Sequence, residues 1–349
     1  MFSYIRRPSK LTLIVLFLFL ALGFLIYQRT HKLRVFVLHS YHPSMSWVQG
    51  LETGVDQVFK KKRYIDVRSY YMNTKRKTSP AYLRRVSRQA MALIKRYKPD
   101  VLIVFDVDAQ QWVAKKLIDD ADYAIVLAGI TDSDDLVQFK AASNVTGVLE
   151  KIPVKVVQEV LSLMLPKERR LYYLSDDSSA AKQLDKEIVD DDWGRFQLVA
   201  HNRAATFNQW KYFVLQAQTK ADVILLSTYH IIRDNGKRVA PIELIQWTLA
   251  NSKIPVIGLY ESFVNDGGYL AIAVASVEQG YTAAKIAMFL LDKKIQINTI
   301  PFIQSQTFQL QMRKRLVKKH YPNITIPTIL EAFSNTKWQL DDLSLKHVN

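Results

Sequence analysis

A serine and two large aromatic residues stand close together in Ser40-Tyr41-His42-Pro43 and Trp47. Hydroxyls of that kind orient a polar ligand, and Tyr41 or Trp47 offers a flat stacking face. Trp47 also suits the first core position of a helix. Polar pairs recur wherever an apolar run ends: Asp106 and Asp108, Thr131 and Asp132, Ser175 with Asp176 and Asp177, Tyr229 and His230, Tyr260 and Glu261. Such carboxylates hold an ammonium or hydroxyl group, or they cap the following helix. Asp106 reads as the ligand group of its pair and Asp108 as the cap. The candidate ligand-binding set is therefore Ser40, Tyr41, Trp47, Asp106, Thr131, Asp176, Tyr229 and Glu261.

Other chemistries find less support. His39 and His42 lack an obvious third ligand for zinc and read as hydrogen-bonded loop histidines. No cysteine is present, which removes disulfides, thiol nucleophiles, thiolate metal sites and a lipidated cysteine. Ser40 lies in no Gly-x-Ser-x-Gly elbow, and no spacing rule makes Asp106 and Glu261 an acid–base pair. Gly-x-Gly-x-x-Gly and Gly-Lys-Ser/Thr loops are absent, which argues against dinucleotide and nucleoside triphosphate sites. No enzyme activity, cofactor or metal is expected. The net charge of +16 is spread along the chain, without a nucleic-acid-binding module. Asn144-Val145-Thr146 and Asn323-Ile324-Thr325 match glycosylation acceptors, a pattern frequent by chance.

These residues hang on an alternating pattern. Leu11 to Tyr27 is an uncharged apolar run preceded by Arg6, Arg7 and Lys10, which reads as an uncleaved transmembrane signal anchor. From Leu33 onward short β-branched strands alternate with amphipathic helices. Strands are expected at Leu33–Leu38, Tyr64–Tyr71, Asp100–Phe105, Tyr123–Ala128 and Val145–Leu149, with helices at Trp47–Lys62, Pro80–Tyr97 and Asp108–Ile118. The grammar restarts near Leu171 and runs through strands ending at Leu174, Ala200, Ser227, Leu259 and Val274. A further run at Ile303–Leu310 precedes a basic helix near Gln311–His320. Two such series predict an α/β protein of two doubly wound parallel-sheet lobes with a hinged cleft, behind one N-terminal transmembrane helix. The expected organisation is a basic tail (1–10), the anchor (11–27), a first lobe (33–149 with 277–302), a second lobe (150–276 with 303–335) and a polar tail (336–349). Glu150–Pro153 is the expected hinge, and Ile300–Phe302 another crossing.

His39-Ser40-Tyr41-His42-Pro43 with Trp47 and Gly54 resembles the opening of the ABC-transporter substrate-binding-protein-like family, of type I periplasmic-binding fold. Asp100–Asp108, Ala128-Gly129-Ile130, Val145-Thr146-Gly147-Val148, Gly267-Gly268-Tyr269-Leu270, Gly280–Ala287 and Ile324–Ala332 extend the resemblance over Leu33 to Phe333. It implies capture of a small polar or aromatic molecule between two lobes, without catalysis. The implied partners are an ABC permease or a membrane sensor, with the body facing the periplasm from a single-pass anchor in a bacterial inner membrane. The alternative is a ligand-free docking scaffold of the same fold.

Overall fold

The computed structural model describes residues 9–30, 32–131, 134–293, 295–305 and 307–333. Asp132, the first eight residues and the polar tail lie outside them.

Helix α1 (Lys10–Thr30) carries the apolar run; its 21 residues measure about 31 Å. Its side chains are described only as far as Gly23, and among the described residues no helix is long and apolar enough to cross a membrane. The chain then enters β1 (Leu33–His39), α2 (Ser46–Phe59), β2 (Ile65–Tyr71), α3 (Pro80–Tyr97), β3 (Val101–Phe105), α4 (Val107–Trp112), β4 (Ile125–Ile130), α5 (Asp134–Ala141) and β5 (Val145–Leu149). A second series follows: α6 (Val154–Met164), β6 (Arg170–Asp176), α7 (Ser179–Asp190), β7 (Gln197–Ala204), α8 (Phe207–Lys220) and β8 (Val223–Leu226). It continues through the hairpin β9 (Arg233–Asp234) and β10 (Lys237–Arg238), then α9 (Pro241–Asn251), β11 (Val256–Gly258), α10 (Ser262–Asn265) and β12 (Leu270–Val274). Helix α11 (Ser276–Lys293), β13 (Ile303–Gln304), β14 (Phe308–Met312), α12 (Lys314–His320) and α13 (Thr328–Phe333) close the chain.

Two six-stranded sheets result, in the orders β13-β5-β4-β3-β1-β2 and β14-β12-β11-β8-β6-β7. All described pairings within them are parallel except that of β14 with β12. Alternate residues along each strand enter different cores, as expected of sheets covered on both faces. Phe36 and Leu38 join one cluster; Val35 and Val37 join another, which runs on through Leu171 and Tyr173 of the second lobe. Tyr172 and Leu174 join a third.

One element departs from expectation. The run Ile303–Leu310 is not one strand. Ile303–Gln304 pairs with β5 in the first sheet, whereas Phe308–Met312 pairs with β12 in the second. The crossing therefore falls after Gln304 and not before Ile303. The other crossings lie between β5 and α6 and between β12 and α11.

Helices α2 and α11 meet backbone to backbone. A Cβ on Gly280 would stand 2.0 Å from the Leu51 carbonyl oxygen, and one on Gly54 would stand 2.2 Å from that of Val277. Backbone cannot yield as a flexible side chain does, so Gly280→Ala is expected to lower stability by about 1–3 kcal/mol or more. Urea unfolding checks this; an unchanged midpoint would show that the helices separate freely. The contact matters to the cleft because α2 carries Trp47 and the N-terminus of α11 carries Ser276.

Candidate ligand-binding cleft

The carboxyl ends of both sheets face a narrow cavity of about 40 Å³ between the lobes. That is room for about three water molecules. Asp106 is its centre. It is buried and adopts φ 68°, ψ 163°, a conformation that glycine tolerates and other residues take at a cost of about 1–3 kcal/mol. Trp47 Nε1 donates to its Oδ1 at 2.9 Å, and its Oδ2 has no hydrogen-bond partner among the described residues. Burial and the neighbouring Glu150 push its pKa well above the carboxylate range, against the Trp47 bond and the Lys75 charge. Ser40 holds the backbone beneath it: its Oγ lies 2.9 Å from Phe105 O and 3.1 Å from Asp106 O, and accepts from Ala109 N at 2.8 Å.

The second lobe closes on this group with Tyr260 and Glu261. Tyr260 meets Trp47 edge-on, with centroids 5.7 Å apart, and its hydroxyl donates to Glu150. Burial raises Glu150 to about 7, opposed by the Tyr260 bond and the Lys75 charge. Glu261 also rises to about 7 through burial, although Ser276 Oγ donates to it at 2.6 Å. Lys75 follows β2 and is nearly buried. Its Nζ donates to Ser178 Oγ in the other lobe at 3.1 Å and lies 5.1 Å from the Tyr41 ring centroid. Three carboxyl groups, three aromatic rings and one ammonium thus converge on the cavity.

The sequence matches the family of ABC transporter substrate-binding proteins over residues 34–335. The chain belongs to that family. Its fold is that of the type I periplasmic-binding proteins. A conserved domain protein from Vibrio cholerae is similar at 19% identity and TM-score 0.65, with 87% of this chain and 99% of the other covered. An ABC domain from Streptococcus pneumoniae in complex with L-Trp is similar at 18% identity and TM-score 0.64, covering 86% and 98%. A carbohydrate-transporter solute-binding protein from Agrobacterium radiobacter, in complex with D-arabinose, shows 13% identity and TM-score 0.56, covering 87% and 99%. No curated protein matches the sequence. Members of the family are substrate-binding proteins of ABC transporters.

In this substrate-binding protein, the residues singled out from sequence have unequal positions. Tyr41, Trp47, Asp106 and Glu261 line the cavity together with Tyr260 and His230. Ser40 supports Asp106 from behind. Asp176 is saturated and does not line it: Ser178 Oγ donates at 2.5 Å, Thr228 Oγ1 at 2.7 Å and Ile231 N at 3.2 Å. Burial opposes its ionisation, yet the Lys75 charge and these bonds win and lower its pKa. Thr131 also lies off the cavity and bridges the lobes, donating to Gln183 Oε1 at 3.2 Å. Tyr229 corrects the expectation. It is buried in the second lobe beside Trp210, its hydroxyl donating to Asp266 Oδ2 at 2.7 Å. Its neighbours Thr228 and His230 line the cavity instead.

His39 faces away from the cleft, stacked between Tyr71 and Phe105 with Nε2 2.7 Å from Glu52. His42 is pushed down to about 4, first by burial and then by Arg76, Arg238 and His230. Among the described residues no group of three or more His, Asp and Glu is placed to hold a metal ion.

Lys75 and Glu150 were missed, although both follow strands whose ends face the cleft. Among the described residues Lys75 is the only Lys or Arg lining the cavity. Removing one partner of a buried charge cluster costs about 3–5 kcal/mol. Lys75→Ala is expected to lose stability on that scale. Millimolar n-butylammonium should restore part of it by filling the space left. Thermal melts with and without the amine test this; a Lys75→Ala protein as stable as the parent would show that the ammonium is not engaged.

Proposed function

We propose that this protein captures a small amino-bearing solute between its lobes and presents the closed form to an ABC-type permease or a membrane sensor. The observation that carries the reading is Asp106: strained, buried, with one carboxylate oxygen unpartnered in a cavity walled by Tyr41, Trp47 and Tyr260. An ammonium satisfies that oxygen, and the rings favour an adjoining apolar or aromatic body. The solute is either ammonium-sized or holds the lobes further apart than they stand here. Contacts to both lobes exist only when the lobes are closed, so binding favours closure. The apolar run of α1 and its preceding cations support an N-terminal anchor, with the body on the periplasmic side of a bacterial inner membrane.

The test is a thermal-shift screen of the full chain in detergent micelles, read by tryptophan fluorescence, against amino acids, polyamines, nucleosides and sugars. A ligand at 100 times its Kd adds about 2.7 kcal/mol. Hits confined to amine-bearing compounds are expected; hits confined to neutral sugars would overturn the amine assignment. A second reading draws on the narrowness of the cavity and on Lys75, whose ammonium already reaches across it. There the cleft is filled by its own side chains and the closed lobes dock a protein. A folded sample with no hit selects that reading.

A further inference from the structure

Beside the cleft mouth lies a second concavity of about 610 Å³, lined by Arg76, Lys77, Arg85, Arg88 and Arg233. No Asp or Glu is among its nine lining residues in the described part of the chain. Four of the cations belong to the first lobe, from the turn after β2 and the first half of α3. Arg233 comes from the hairpin of the second lobe, and its Nη2 reaches Thr78 Oγ1 at 3.4 Å. None of the five forms an ion pair among the described residues. Four of them contact neutral groups: Arg76 donates to Ser44 Oγ at 3.0 Å, Arg233 to Gly236 O at 2.9 Å, and Lys77 and Arg85 lie over the Tyr82 ring.

Five like charges in one hollow repel each other, whereas ordinary surfaces intersperse the two signs. The remaining donors suit an anion. Thr78 and Ser79 bring hydroxyls to the N-terminus of α3, an 18-residue helix with no acidic residue in its first turn. Such a terminus carries partial positive charge, and guanidinium forks match phosphate oxygens two at a time. The positive field continues inward, where Arg76 and Arg238 stand near His42.

We propose that this concavity is a second binding site, for a phosphate-type oxyanion bearing two or more negative charges. Arg76 and the start of α3 hold it from the first lobe and Arg233 from the second. Bridging both lobes, the anion favours their closed arrangement. By linkage it then raises affinity at the cleft by the same factor that a cleft ligand raises affinity for the anion. The site stands independently of the solute assigned to the cleft, and its test needs none.

The full chain in phosphatidylcholine nanodiscs is titrated with inorganic pyrophosphate, against sodium chloride at matched ionic strength. A saturable rise in melting temperature is expected. Arg233→Gln and Arg76→Gln should each weaken the apparent Kd about tenfold or more, as loss of a charge-assisted contact does. Their melting without pyrophosphate should be unchanged or higher, because repulsion is relieved; a purely structural arginine would lower it. Lys61→Gln, on another face, should behave as the parent. A response equal to that of sodium chloride, or one that survives in both arginine variants, overturns the proposal. Repetition in phosphatidylglycerol nanodiscs separates the sources: a blunted pyrophosphate response means lipid headgroups occupy the site, and an equal one means a free oxyanion does.

Discussion

Asp106→Asn is expected to lose amine binding about a hundredfold while leaving the ligand-free protein at least as stable as the parent. Asn keeps the size of the side chain and can still accept from Trp47 Nε1. It replaces the unpartnered Oδ2 with an NH2 donor, which turns an attraction for ammonium into a clash of donors. A lost hydrogen bond to a charged group, with the ligand ammonium left unpaired, is worth about 3 kcal/mol. Stability moves the other way. Asp106 and Glu150 are buried close together, since a Cβ on Gly129 would stand 2.7 Å from Asp106 Oδ1 and 3.4 Å from Glu150 Oε2. Asn carries no ionisable group there, so it escapes the cost of burial and of the neighbouring Glu150 that raises the Asp106 pKa. Calorimetric titration of the amine found by the screen, with melting curves for both proteins, tests both halves. Unchanged affinity would remove Asp106 from the site; a large fall in melting temperature would make it a structural residue. Asp106→Gly is a useful companion, because glycine adopts φ 68°, ψ 163° without strain. It should melt above Asp106→Ala, though neither binds.

What the sequence made legible was local. Helix α3 runs from Pro80 to Tyr97 as its pattern predicts, because the start and face signals all lie within the helix: Ser79 caps Tyr82 N, Pro80 fills the first turn, and Val86, Ala90 and Ile94 repeat on one face. The apolar runs of β3 and β5 are equally self-contained. The rule that ligands gather off strand ends leads to Tyr41, Trp47, Asp106 and Glu261, which line the cavity. It failed where one residue of twist decides direction: Thr228 and His230 face the cavity while Tyr229, between them, turns into the core. It also failed where partners are distant in sequence. Lys75 finds Ser178 in the other lobe, and β13 and β14 part because β5 and β12 are different neighbours. Asn235-Gly236, with φ of 46° and 78°, is the local turn signal of the β9–β10 hairpin.

Amine affinity is expected to rise with pH through about 7. Glu150 and Glu261 are both raised to about 7, and Asp106 is raised well above its ordinary value. Below pH 7 Glu150 and Glu261 hold protons that an arriving ammonium must displace, while the amine itself stays charged. For one proton released, Kd falls about tenfold per pH unit. Stability of the ligand-free protein has the opposite slope. A carboxyl whose folded pKa lies above its unfolded value binds more protons when folded, so its contribution is lost as pH rises from the unfolded to the folded value. Glu187, raised to about 8 by burial, extends that window upward. His39 and His42, whose pKa values burial lowers, act the other way, but only below their unfolded value of about 6.5. Asp176, Glu52, Asp135 and Asp222 are lowered and titrate in more acid solution. Between pH 6.5 and 8 the raised carboxyls therefore act without opposition from these groups, at about 1.4 kcal/mol per pH unit for each proton lost. Titrations from pH 5.5 to 8 in two buffers of different ionisation enthalpy count the protons released, and melts over the same range follow stability. Affinity that is flat between pH 5.5 and 7 would mean that the carboxyls around the cavity already stand ionised and that Lys75 alone balances them.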